Sequence, residues 1–136
     1  MTITLSSEHQ LARLESTRAF LDRGTQAARI RIYGGVRAAT PADPPTDGML
    51  VEICLTKPCG ALVAGRLHLS AADDAMITAT GSATWARIVN GEAVTAIDLD
   101  CSDQAGSGEI RLVQTQLYAG GYARLAEAIP ELRLQA

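Results

Sequence analysis

The hydrophobic period changes once along this chain, at Gly24, and that change limits the fold more than any other feature. Before Gly24, Leu11, Leu14, Arg18 and Leu21 recur at helical spacing, with Phe20 and Ala12 beside them and Arg13, Glu15 and Asp22 on the other side. Ser6 and Ser7 precede this stretch, and Gln10 stands three residues after Ser7, in the pattern of a capping box. The spacing predicts a helix over residues 7–23, stopped by Gly24. After Gly24 the period is 2. Ala28, Ile30 and Ile32 alternate with Arg29, Arg31 and Tyr33, which is the pattern of a half-buried strand.

The rest of the chain continues in short strand-like runs separated by turn residues. Residues 38–48 (AATPADPPTDG) hold three prolines and form a loop, because proline fixes φ and removes a backbone donor. Strands are expected over 49–56, with Val51, Ile53 and Leu55 on one face, and over 62–69, with a turn at 58–60 and Gly65 as a bulge or kink. Short strands follow over 75–80 and 82–89. Asn90-Gly91 then predicts a two-residue type I′ hairpin into a return strand over 92–99. Residues 100–108 read as an exposed loop, 109–113 as a strand, and the double glycine at 120–121 as the lead into a last segment. That segment, 122–134, has helix-forming composition but contains Pro130, and it is read as a strand.

One helix and seven or eight short strands predict a mainly β fold. The expected architecture is an antiparallel β-sandwich or jelly-roll-like domain with one N-terminal α-helix. The 136 residues fit a single domain, with the helix over 7–23 and the sandwich over 27–134. Ile30, Ile32, Val51, Ile53, Leu55 and Leu112 are its predicted core. An apolar fraction of 47% excludes wholesale disorder. A formal charge of −3 argues against direct nucleic-acid binding through bulk positive charge. Residues 1–10 lack a basic stretch and a long apolar run, so no secretory signal and no membrane partner are expected. Synthesis in the cytoplasm then predicts reduced thiols.

The search for chemistry returns one weak candidate. Asp98, Asp100 and Asp103 cluster near a glycine-rich turn and could hold Ca²⁺, which takes six to eight oxygen ligands. The order DLDCSD is not an EF-hand loop, and a solvated strand end is the favoured reading. No metal or other cofactor is therefore expected. Cys54 and Cys59 could bridge across a strand end, but packed, reduced thiols are favoured for these two and for Cys101. His9 and His68 lie outside any recognisable nucleophile context, and no G-x-S-x-G occurs. Gly106-Ser107-Gly108 precedes a strand, whereas phosphate-binding glycine loops open a helix. Trp85, the only tryptophan, is read as a core or interface anchor. Trp85, Tyr33, Arg31 and Phe20 are the candidate interface residues, and no catalytic residue is expected.

Several stretches carry a resemblance. They are Thr4-Leu5-Ser6-Ser7 at the helix entry, Ile30-Arg31-Ile32-Tyr33-Gly34-Gly35, Leu50-Val51-Glu52-Ile53, Ala83-Thr84-Trp85-Ala86-Arg87-Ile88 and Leu117-Tyr118-Ala119-Gly120-Gly121. Together they resemble a set of small bacteriophage and prophage proteins, uncharacterised or structural. The Ala- and Glu-rich ending over 122–134 departs from that pattern. The resemblance implies a virion structural protein made in the host cytoplasm. It would serve in head decoration or cementing, or in the tail, as a homo-oligomer against capsid or tail proteins. The alternative is a carbohydrate- or receptor-binding β-sandwich, which needs an exposed aromatic row that a 4% aromatic content hardly supplies. A small hydrolase ranks below both, for want of a plausible base.

Overall fold

The computed structural model describes residues 4–129. Helix α1 spans Ser7–Leu21. Eleven strands follow among the described residues: β1 Arg29–Tyr33, β2 Met49–Val63, β3 Arg66–Ala71, β4 Ala75–Met76, β5 Gly81–Ser82, β6 Trp85–Val89, β7 Thr95–Asp103, β8 Ile110–Leu112, β9 Gln116–Leu117, β10 Tyr122–Ala123 and β11 Leu125–Ala128. Seven of them form one sheet in the order β11-β8-β7-β6-β1-β2-β3, while β10-β4 and β5-β9 form two-stranded ribbons. The edge strands β11 and β3 touch each other, so the large sheet is nearly closed into a barrel. The fold is mainly β with one helix, as alternation predicts, and no helix of the described residues is long and apolar enough to cross a membrane.

The register explains the core. Ile30 stands between Ile53 and Ile88, and Ile32 between Val51 and Ala86. Because side chains alternate, these residues share one face. Ile30, Ile32, Val51, Ile53, Leu55 and Leu112 are each at most 1% exposed, which makes the predicted core the observed one. Each such side chain contributes about 1.5–3 kcal/mol by leaving water.

The helix begins one residue earlier in its capping than the sequence pattern predicts. Ser6, in extended conformation, is the N-cap, and its hydroxyl accepts from the His9 N–H at 3.2 Å. Gln10 instead donates its amide to the Leu5 carbonyl. Leu14 and Leu21 bury against β2 and β3, while Leu11 stays 45% exposed. The helix stops at Leu21, two residues short of the expected end, and a clamp from β2 holds that terminus. The Cys59 N–H donates to Asp22 Oδ1 at 2.8 Å, and Lys57 Nζ donates to the carbonyls of Asp22, Gly24 and Gln26. The only lysine in the chain thus places its positive charge just past the negative end of the helix, on the carbonyls of the segment that leaves it.

Three local expectations are overturned. The turn expected at residues 58–60 is absent, since β2 continues through a cis Lys57-Pro58 bond and a register shift between Leu55 and Gly60. Proline is tolerated there because β1 pairs with β2 only as far as Cys54. The reversal falls instead at Ala64-Gly65, both at positive φ (53° and 77°), so Gly65 is a turn residue and not a bulge. The Asn90-Gly91 hairpin exists, but its loop is longer than two residues. Asn90 Oδ1 accepts from the Glu92 and Val94 N–H groups, and the left-handed residue is Ala93. Gly91 serves close approach instead: a Cβ there would stand 2.0 Å from the Gln26 carbonyl oxygen and 2.2 Å from that of Arg23.

A further correction concerns strand direction. β7 and β8 are parallel, with Cys101 beside Ile110 and Asp103 beside Leu112, so the sheet is mixed where an antiparallel one was expected. Parallel neighbours ordinarily need a crossover of a dozen or more residues. Here residues 104–109 suffice, because the loop is bound back onto β7. Asp103 Oδ1 accepts from the Ala105 and Gly106 N–H groups, and Ser102 Oγ accepts from the Gly108 N–H. Gly108 lies so close that a Cβ would stand 2.8 Å from the Ser102 nitrogen. The strand expected over 122–134 is realised as β10 and β11, and its part from Pro130 onward lies outside the described residues.

Gly91→Ala should lower stability by about 1–3 kcal/mol through forced displacement of backbone. Gly48→Ala, at a site with nothing within 4 Å, should change it by no more than about 0.5 kcal/mol. Urea denaturation midpoints of the two variants test the difference.

Candidate functional site

The outer face of the sheet carries a row of charges built by the same register that builds the core. Glu52, Arg31, Arg87 and Asp98 stand side by side across β2, β1, β6 and β7. Two arginines meet in the middle, and each is neutralised from its far side. Arg31 Nε donates to Glu52 Oε2 at 2.8 Å. Arg87 makes a two-bond fork to Asp98, Nε to Oδ1 at 2.8 Å and Nη2 to Oδ2 at 3.0 Å. Hydrogen bonding to Asp98 raises the pKa of Arg87 despite burial, so the pair stays ionised.

The next row is aromatic. Tyr33 and Trp85 are cross-strand partners and stack with ring centroids 4.7 Å apart, and the Arg87 guanidinium lies 5.5 Å from the Trp85 ring. The proline-rich loop closes over both rows. Arg37 donates to the Asp98 carbonyl at 2.9 Å and to Asp100 Oδ1 at 3.1 Å, and Ala38 packs against Tyr33 and Trp85. Burial pushes the Tyr33 hydroxyl pKa up, against the opposing pull of Arg31 and Arg87.

The four interface candidates therefore do not form one surface. Trp85 and Tyr33 are only 1% and 6% exposed. Arg31 is half-buried beside Glu52, and Phe20 is half-buried on α1 with Arg23 stacked on its ring. The three aspartates also separate by role. The expectation of a wholly solvated cluster is wrong for Asp98, which is buried in the ion pair. Asp100 is exposed beside Arg37, and Asp103 organises the 104–109 return. Among the described residues, no group of three His, Cys, Asp or Glu side chains is arranged to hold a metal ion.

The cysteines are free thiols, with Cys54 exposed and Cys59 and Cys101 buried. The disulfide alternative for Cys54 and Cys59 is not realised. Burial, reinforced by the neighbouring Asp22 carboxylate, pushes the Cys59 thiol up to about 12, and burial alone does the same for Cys101. Both are held protonated at neutral pH and are poor nucleophiles.

Sequence reasoning missed a cleft of about 360 Å³ beside the β4–β10 ribbon. Ile77, Leu117 and Ala123 supply buried apolar lining. Tyr118 and Tyr122, 60% and 66% exposed, line it with Val113. An Asp74–Arg124 ion pair at 3.3 Å and the amides of Gln114 and Gln116 complete it. The segment carrying the tyrosines is firmly attached. Gly120 and Ile77 exchange hydrogen bonds with the opposing backbone (Gly120 N–H to Ile77 O, Ile77 N–H to Gly121 O), and the Ala119 N–H donates to Thr80 Oγ1. Met76, the cross-strand partner of Tyr122, is also exposed. Met76, Val113, Tyr118 and Tyr122 thus gather in one region, where a large apolar side chain left in water forgoes about 1.5–3 kcal/mol. The available signal was Tyr118-Ala119-Gly120-Gly121-Tyr122, two tyrosines flanking a double glycine, which reads as a turn and nothing more until β4 is placed beside it.

Asp98→Ala should cost about 3–5 kcal/mol, because it strands a buried arginine, whereas Arg87→Met/Asp98→Leu should cost less than that single change. Asp100→Asn and Asp103→Asn should each stay within about 0.5 kcal/mol. Denaturation of the four variants checks this. At about pH 8, a thiol reagent should titrate Cys54 alone in the native protein and all three cysteines after unfolding. Since the buried thiols have raised pKa values, the stability that they contribute is complete below about pH 9 and is lost as pH rises from about 9 toward 12. Cys59→Ala/Cys101→Ala should flatten that alkaline decline. No family model, curated protein or solved structure matches the chain, so what the surface does rests on its own geometry.

Proposed function

We propose that this protein is a non-enzymatic virion structural component of the bacteriophage type. It acts through surface contacts, as a homo-oligomer or in repeated copies on a capsid or tail. The observation that carries the reading is the distribution of chemistry between interior and surface. The buried ionisable groups are engaged structurally: Arg87 with Asp98, and two thiols kept protonated. Outside, four of the eight large apolar side chains exposed among the described residues (Met76, Val113, Tyr118 and Tyr122) surround the tyrosine cleft, whose turn is tied to its neighbour by backbone hydrogen bonds. A rigid domain presenting such a patch suits repeated, symmetric association, in which the functional surface is an interface. The sequence resemblance to phage and prophage proteins points the same way.

Particles assembled from the neighbouring genes and analysed by electron microscopy and mass spectrometry should contain the protein in repeated copies. Tyr118→Ser/Tyr122→Ser should fold with a near-native denaturation midpoint, because both rings are mostly exposed. Its incorporation should fall by about tenfold or more, as expected when aromatic contacts are removed from an interface. Particles that assemble without the wild-type protein would overturn the virion reading.

A further inference from the structure

We infer that the tyrosine cleft is a saccharide site, taking a neutral pyranose unit of a glycan. The inference rests on the reading that this region is the contact surface, and it names what the surface contacts. Four observations converge. First, two phenol rings stand exposed within one turn, Tyr118 and Tyr122, and aromatic rings with a polar tip suit a partner that is apolar on one face and wet at its edge. A pyranose ring has that form, with C–H groups on its faces and hydroxyls around its rim. Second, the polar lining consists of an amide pair (Gln114 and Gln116), a carboxylate (Asp74) and a guanidinium (Arg124). This set both donates and accepts, as a row of hydroxyls requires.

Third, the charged lining residues are one acid and one base, Asp74 and Arg124, which neutralise each other at 3.3 Å. The lining has no surplus positive charge to recognise a phosphate, sulfate or uronate, and no surplus negative charge to recognise a cation. Fourth, the cleft's volume of about 360 Å³ lies at the small end of ligand pockets, which suits one sugar unit better than an extended chain. The buried Ile77, Leu117 and Ala123 give this unit a pre-formed seat, held by backbone hydrogen bonds between residues 77 and 120–121.

The test uses the full chain against a panel of neutral oligosaccharides (glucans, mannans, galactans and chitooligosaccharides) alongside sulfated and uronate counterparts. Binding is followed by titration calorimetry and by amide shifts in NMR. The expected result is binding of at least one neutral oligosaccharide, with shifts confined to the cleft and little dependence on salt. Tyr118→Ala and Tyr122→Ala should each weaken it by about tenfold. The Tyr→Phe variants, which keep the ring faces, should stay within a few-fold of wild type, and Asp74→Asn/Arg124→Gln should weaken binding while leaving the fold intact. Binding that survives loss of both tyrosines, or that prefers the anionic sugars, overturns the inference. If no saccharide binds but the double tyrosine variant is still excluded from particles, the occupant is a polypeptide: the saccharide inference fails and the contact-surface reading stands. If that variant also incorporates normally, both fail.

Discussion

Arg87 and Asp98 face each other across β6 and β7 at the middle of the sheet's outer side, and both are buried. An ion pair withdrawn from water is costly unless its geometry is good and its remaining hydrogen bonds are met. Here the fork to Asp98, the Trp85 face beside Arg87 and the Arg37 contact to the Asp98 carbonyl meet that condition together. The loop over residues 34–48 is thereby given a fixed position, although its prolines and glycines specify no regular structure. β6 becomes buried along its whole length, with the barrel core on one side and the roofed aromatic and charged rows on the other.

The helix is integrated by a different device. Its apolar contact with the sheet is slight, limited to Leu14 and Leu21 as buried residues. Its C-terminus is held by polar groups from β2, chiefly Lys57 and the Cys59 N–H. The same β2 segment brings Cys59 beneath Asp22, which accounts for a thiol that is both buried and held in its protonated form. Helix position, strand continuation past Pro58 and thiol inertness are three consequences of one local arrangement.

These internal constraints bear on function. The interior chemistry is engaged in locking the domain, and four of the eight large apolar side chains exposed among the described residues (Met76, Val113, Tyr118 and Tyr122) lie together near β4 and β10. The tyrosine turn combines rigidity with exposure, since its backbone is paired while its rings are free. A binding surface held on paired backbone loses little entropy when a partner arrives. The composition argument against a carbohydrate-binding face assumed that many aromatics are needed. Two rings placed on one turn make a cleft with few aromatics in the chain.

Period and punctuation in the sequence were enough to determine one helix before Gly24, a β-rich remainder and the inward set led by Ile30, Ile32, Val51 and Ile53. Alternation is a local property, and burial of one strand face follows from it directly. The outer face was not legible in the same way. Arg31, Tyr33 and Asp98 look solvent-facing or interfacial along the chain and Trp85 a core or interface anchor, and the cross-strand register and the returning loop decide how far each is covered. The parallel β7–β8 pair, the path of β2 through Pro58 and the hairpin at Ala64-Gly65 depended on which backbone groups could find partners at a distance. The tyrosine cleft likewise exists only because residues 75–80 come to lie beside 118–123. Contacts between segments far apart in sequence leave no periodic trace in either segment, so tertiary structure alone decided them.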